Sequence, residues 1–467
     1  MLLRQIANKA SSSLNTSFSF FLRKNISHSN HRHFNVDSTV KQTKNYLKDG
    51  FSTFADPNYY MNLEARFGSI NYKPLPVVIK WAKDCHVYDV KDQRYIDFTA
   101  SYATVSQGHC HPKIRAAAIE QMQKVTLTSR VFYNTYLADY QKMMCMLLGF
   151  DKYFMASGGC EAAESSWKIA RAWGYLNKGI PQNEAIIVFP ENNFTGRSIA
   201  AASASTDPTC YTNYGPFVPN FSKVPYDDSA ALEEAFQRHP NIAAYYMEPI
   251  QGEAGIIIPS NGYLRAVREL CTKYNVLMIA DEIQVGLGRT GYLQACDYEG
   301  VKPDLTVLGK ALGGGFIPVS AVGGREDAVL SLKTGTHGST FCSNPMACAI
   351  SSAAVRVILE EDLVANSMKQ GKYLKVLLEQ IQNQFKKEDF IREVRGRGLA
   401  IGMEINNDKY DINRLVNIML KNGLLIKASH GKTLRISPPL TITTDLVEEG
   451  VQIIKKSINE YLTTIYN

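Results

Sequence analysis

Along most of the chain one unit recurs: a short apolar, β-branched run, a polar or glycine-bearing turn, then a stretch with helical spacing. Residues 153–156 run into Ser157-Gly158-Gly159, and a helical pattern follows over 161–175. Residues 185–189 precede Asn192-Asn193-Phe194, and residues 243–247 precede Glu248-Pro249. Residues 276–280 precede Asp281, and residues 305–308 precede Gly309-Lys310. Short apolar, β-branched runs bounded by turn signals predict strands. Their alternation with helices predicts an α/β fold with a mostly parallel central sheet wrapped by helices. After a long helical stretch over 346–361 the alternation changes to that of a smaller α+β domain. The expected division is a leader over 1–45, an N-terminal segment over 46–110, a large domain over 111–355 and a small domain over 356–467.

Composition narrows the class. With 45% hydrophobic and 20% charged residues, the 467-residue chain has the make-up of an ordinary globular protein. No apolar run approaches the ~18 residues that span a bilayer, so no membrane-crossing helix is expected. The nine cysteines are scattered singly, with no Cys-x-x-Cys pair, which predicts reduced thiols and no zinc site. The net charge is +7, but residues 1–50 hold eight Lys/Arg against two Asp, so the remainder carries only +1. A basic groove for nucleic acid is therefore not expected.

The same asymmetry marks the leader. No acidic residue precedes Asp37, and Arg4, Lys9, Arg23, Lys24 and Arg32 are spread among serines. Leu3, Ile6 and Ala10 could share one helical face. This composition predicts a mitochondrial transit peptide and an address in the mitochondrial matrix. A secretory signal competes through the apolar patch Phe18–Leu22, which is short for that purpose.

Chemistry enters where the polar residues fall. Glu253, Asp281 and Lys310 each follow an apolar strand, 28 and then 29 residues apart. That is about one βαβ unit each. Parallel strands would then bring two carboxylates and an amine to one edge of the sheet, where open α/β sheets bind ligands. Taken singly, each is an ordinary strand-end charge. The glycines of Ser157-Gly158-Gly159-Cys160, between strand and helix, would let backbone N–H groups close on a phosphate. A tight turn with Glu161 and Glu164 near the helix start explains that loop equally well. Asp281 ends its strand within VLMIADEIQVGLGRTG, and Lys310 sits among glycines in LTVLGKALGGG. A lysine that bonds a carbonyl and a carboxylate that keeps a pyridine nitrogen protonated are the pair that pyridoxal 5′-phosphate (PLP) chemistry needs.

The DEIQ-x-G-x-GRTG segment followed by Lys310 resembles the signature of the class III (ω-amino acid) aminotransferases, PLP enzymes of fold type I. Further segments carry the resemblance from about Phe67 onward: NYKPLPVV (71–78), QGHCHPKI (107–114), LTSRVFYN (127–134), STDPTCYTNYGPF (205–217), EPIQGEAG (248–255), HGST (337–340) and LRISPPL (434–440). The resemblance implies that Gly159 and Cys160 hold the phosphate, Phe194 stacks on the ring, and Gln284 bonds the ring hydroxyl. It implies Asp281 on the ring nitrogen and Lys310 as covalent anchor and proton carrier. Thr340 would reach the phosphate of the neighbouring subunit in a homodimer. Tyr72 and Arg197 would hold the substrate's far end, Tyr102 would shape the pocket, and Glu253 would pair with Arg435. The implied substrates are L-ornithine, reacting through its δ-amine, and 2-oxoglutarate. Members acting on acetylornithine, 4-aminobutyrate or lysine would share the cofactor residues, with Tyr72 the discriminating position. An intramolecular aminomutase would use the same lysine without a 2-oxo acid.

The chain also departs from the family. Thr195 stands where a tryptophan is common beside the stacking Phe, and Phe341-Cys342-Ser343 replaces Tyr-Gly-Gly. Ser157, Gly158 and Cys160 differ from the usual phosphate loop. Thr195 bears on the shape of the substrate pocket.

Overall fold

The computed structural model describes Thr43 and residues 55–466; apart from Thr43, the expected leader over 1–45 lies outside them. From residue 56 onward three sheets and their helices form one unit. Among the described residues no helix is long and apolar enough to cross a membrane.

The central sheet has seven strands: β4 (Lys152–Ala156), β5 (Ile186–Pro190), β6 (Phe221–Val224), β7 (Ile242–Met247), β8 (Leu277–Asp281), β9 (Leu305–Leu308) and β10 (Ser320–Gly324). Their order is β4-β10-β9-β8-β7-β5-β6. Neighbours from β9 to β6 run parallel, and β10 alone is antiparallel to both of its partners. The expected mostly parallel sheet is present. Six strands, β4 to β9, therefore end on the same edge.

The apolar runs are continuous because alternate residues serve two different cores. Ala244, Tyr246, Leu277 and Ile279 join a cluster with Trp167 and Ala170 of the helix Gly159–Trp173. Tyr245, Met247, Met278 and Ala280 join another, with Phe236 and Leu264 of the helices Ser229–Arg238 and Tyr263–Lys273. Burial on both faces is what βαβ crossovers produce.

Two smaller sheets flank this body. Strands β1 (Ile79–Lys83), β2 (His86–Asp89) and β3 (Arg94–Asp97) pair antiparallel, and β13 (Leu424–Leu425) adds to β3 in parallel. Strands β11 (Ile391–Arg397), β12 (Ala400–Ile405), β15 (Thr433–Ile436) and β14 (Lys427–Ser429) form an antiparallel sheet in that order. The long helical stretch expected over 346–361 is the helix Pro345–Glu360.

Candidate active site

The loops after β4, β5, β7, β8 and β9 meet over one cavity of about 180 Å³. One end is the start of the helix Gly159–Trp173, where Gly159 and Cys160 line the wall. Aligned peptides over the helix's 15 residues give that end a partial positive charge. Glu161 accepts from the backbone N–H groups of Ser157 (2.9 Å) and Gly158 (3.3 Å), which fixes the loop. On the facing side Gly196, at φ +124°, approaches so closely that a Cβ would lie 2.6 Å from Cys160 Sγ. Only glycine permits that approach, which carries Phe194 into the cavity wall.

Asp281 closes β8 and is 5% exposed. Its Oδ1 accepts from Ile283 N at 3.0 Å and its Oδ2 from the Tyr246 hydroxyl at 2.5 Å. Burial pushes its carboxyl above the usual range, against those two bonds and the charge of Lys310. Lys310, two residues after β9, has the left-handed φ of +43°. Burial first, and then the Arg435 guanidinium, lower its amine to about 8; Glu253, Asp281 and Glu248 oppose them. An amine so placed is uncharged far more often than an exposed lysine, as a nucleophile and proton carrier must be.

Gln284 lies across Gly252, where a Cβ would fall 1.8 Å from its Oε1 and displace the amide from this position. Glu253 and Arg435 form an ion pair, and the arginine is 5% exposed. The Tyr102 ring covers Arg435, its centroid 4.8 Å from the guanidinium carbon. Tyr102, Phe194, Arg197 and Glu253 also line an outer cavity of about 700 Å³. Arg197 stands 5.4 Å from the Phe194 ring centroid and bonds Cys210 Sγ.

Three expected residues stand outside these two linings: Arg435, which lines a small cleft with Tyr102 and Gln284, Tyr72 and Thr340. Tyr72 is exposed, though near enough for its charge to weigh on the Tyr102 hydroxyl. Thr340 is exposed on a loop that His337 ties to Ser165 at 2.9 Å and Lys168 at 3.0 Å. Thr195, 6% exposed, lines the inner cavity between Phe194 and Gly196.

Sequence reasoning overlooked three groups. The carboxylate that directly follows β7 is Glu248, not Glu253, which lies five residues further on. Glu248 clamps two loops by accepting from Phe194 N and Gly252 N, each at 3.0 Å. Burial and the neighbouring Asp281 raise it to about 8. Its place before Pro249 was the available signal. Tyr246, inside an apolar run, gave none. Asp97 ends β3 and accepts from Thr99 N, Thr99 Oγ1 and Ala100 N. It anchors residues 100–103, all at positive φ, the turn that presents Tyr102.

The donor set fits PLP: a helix start for phosphate, an aromatic ring for stacking, a carboxylate for the ring nitrogen and an amine for the aldehyde. Comparison with known proteins agrees. The model of the family "Aminotransferase class-III" matches residues 67–458. An ornithine aminotransferase of Plasmodium falciparum is 47% identical over 399 residues, 85% of this chain and 95% of that protein. A mitochondrial ornithine aminotransferase of Drosophila melanogaster is 47% identical over 395 residues, 85% and 90%. A solved ornithine aminotransferase of Toxoplasma gondii, with PLP partly occupying its active site, superposes with a TM-score of 0.87. It is 39% identical and covers 92% of this chain and 99% of its own.

Proposed function

The chain belongs to the class-III aminotransferase family, and from that premise we propose that it uses PLP to move the δ-amino group of L-ornithine to 2-oxoglutarate. The products are glutamate and glutamate 5-semialdehyde, which closes to pyrroline-5-carboxylate. One observation carries the reading: Lys310 and Asp281, at the ends of neighbouring parallel strands, face one cavity over a helix start. The relatives' names support ornithine as the donor.

When bound, the cofactor supplies an aldehyde that accepts the donor's amine and a protonated ring that takes up the electron pair released at carbon. Asp281 keeps the ring nitrogen protonated. Phe194 holds the ring plane, and Gln284 bonds the ring hydroxyl. Gly159 and Cys160 seat the phosphate on their amides. Lys310 would anchor the cofactor's aldehyde and, as a free amine, would hold and move the proton at the reacting carbon. Tyr72 and Arg197 hold ornithine's far end, so that its δ-amine leads. Glu253 neutralises Arg435 while ornithine is bound and releases it for the carboxylate of 2-oxoglutarate.

We further propose a homodimer, in which Thr340 of one copy reaches the phosphate held by the other. The exposure of Thr340, away from its own chain's cavity, supports this. The division at about residues 110 and 355 belongs to the same reading, as does the mitochondrial matrix. The leader's composition and the Drosophila relative's name support that location.

The test is which amines bleach the PLP absorbance of the purified protein in a single turnover. L-Ornithine should outpace N-acetylornithine, 4-aminobutyrate and lysine, and the colour should return with 2-oxoglutarate. Bleaching that needs no 2-oxo acid to recover would indicate an aminomutase instead. In Tyr72→Phe the preference for ornithine over 4-aminobutyrate should shrink by roughly tenfold or more, since the lost hydroxyl bonds a charged amine.

A further inference from the structure

The proposed pyridine partner is itself held by a group with no assigned role. Tyr246 lies on β7, opposite Ile279 of β8 in the parallel register. Side chains two apart on a strand share a face, so Tyr246, Ile279 and Asp281 stand on one side of the sheet. The Tyr246 ring is fully buried beside Trp167 and Phe189, with centroids 5.6 and 5.7 Å away. A phenylalanine would fill that volume. The hydroxyl is instead carried into a dry core, where an unpaired one costs free energy, and there it donates to Asp281 Oδ2 at 2.5 Å.

We infer that Tyr246 is a positioning residue of the transamination: its hydroxyl keeps the Asp281 carboxylate ionised and aimed, and so sets how far the pH can fall before the site loses its hold on the protonated cofactor ring. The inference rests on the proposal that PLP occupies this cavity.

The geometry allows both bonds at once. An ionised carboxylate has about four acceptor sites, of which Ile283 N takes one on Oδ1 and Tyr246 takes one on Oδ2. The remaining sites are free for a ring N–H. The charged and titratable neighbours are few: Lys310 favours the ionised form of Asp281, while Glu248 repels it. The Cys160 thiol weighs on the Tyr246 hydroxyl. Glu282 turns away to the backbone N–H groups of Ala295 and Cys296. Burial and the adjacent carboxylate hold the Tyr246 hydroxyl well above its ordinary range, so it stays protonated and always donates. Its bond opposes the burial that raises Asp281. Without it, Asp281 takes up a proton at higher pH, and a neutral acid no longer balances the charge of a pyridinium.

The experiment uses full-length holoenzyme, dialysed in buffers from acid to alkaline, with retained cofactor read by absorbance. In Tyr246→Phe the acid limb of retention should move up by about one pH unit, a tenfold change in proton affinity. In alkaline buffer the two proteins should agree, because Asp281 is ionised in both. In an Asp281→Asn background the same substitution should move nothing. A fluorinated tyrosine at position 246, a stronger donor of nearly the same shape, should move the limb down, and it decides the matter if Tyr246→Phe does not fold. Equal limbs, an offset uniform in pH, or a shift that persists in the Asp281→Asn background would overturn the inference. Failure of the parent to hold PLP at any pH would overturn the proposed function instead.

Discussion

An arginine paired with a carboxylate cannot offer its charge to a substrate until that carboxylate moves. Arg435 is in this position, since Glu253 neutralises it and Tyr102 covers it. An unmasked arginine beside the reacting carbon would draw an α-carboxylate in both half-reactions and favour attack through the α-amine. Glu253→Ala should therefore speed the first half-reaction with glutamate relative to L-ornithine, by about tenfold or more if one charged contact is unmasked. Binding of 2-oxoglutarate should hold or improve. PLP absorbance followed with each donor measures this, and an unchanged preference would leave δ-selectivity to Tyr72 and Arg197. Lys310→Ala should abolish transamination yet retain PLP noncovalently, because the helix start and Asp281 remain. Borohydride reduction of the parent should fix the cofactor to the peptide containing Lys310, and label on another lysine would refute the assignment. Lys310 and Asp281 were legible in sequence because each is a polar residue ending an apolar strand. Glu248 was passed over for Glu253, and Tyr246 was invisible, because a buried hydrogen-bonding tyrosine and a packing tyrosine read alike until the adjacent strand is known.

Elements were legible where one physical rule decided them. The strands β7, β8 and β9 are apolar but for Thr306 and the terminal Asp281 because both faces are covered, and strand ends agreed with the pattern to within a residue or so. The antiparallel insertion of β10 and the pairing of β13 with β3 were not foreseen, since partners distant in sequence leave no periodic trace. Least visible was the turn 100–103, in which Ala100, Ser101, Tyr102 and Ala103 have φ between +42° and +65° without a glycine among them. Such backbone costs about 1–2 kcal/mol per residue and persists only where other contacts impose it. Asp97 imposes it: one oxygen accepts from Thr99 and Ala100, and the other meets His109 Nε2 at 2.8 Å. Asp97→Ala should lower stability by roughly 3 kcal/mol, through buried donors left unpaired. It should also free Tyr102 from Arg435, raising KM for both substrates while PLP retention is unchanged. Urea unfolding and steady-state kinetics would separate the two effects, and a stability loss with unaltered KM would show that the strain is not tied to substrate binding.

At the scale of the whole molecule, charge and chemistry occupy different parts of the chain. Every proposed site residue lies between Tyr72 and Arg435, within the stretch matched by the family, while six of the seven net positive charges lie in the first 50 residues. PLP and 2-oxoglutarate are small anions and ornithine carries a single carboxylate, so in the proposed reading their negative groups need only single placed partners, Arg435, Arg197 and a helix start, not a general positive field. A basic, acid-poor leader is thus unnecessary for catalysis, and its spread arginines on an amphipathic pattern suit import into an organelle. Removal of residues 1–45 should leave the rates of both half-reactions within about twofold, since every proposed site residue lies at or after Tyr72. Residues 1–50 fused to a fluorescent protein should carry it to mitochondria, and the fusion should lose that address when Arg4, Lys9, Arg23 and Lys24 are replaced by glutamine. A cytosolic or secreted fusion would refute the address. Slowed half-reactions in the shortened chain would show that the leader also serves the folded enzyme, which its composition gives no reason to expect.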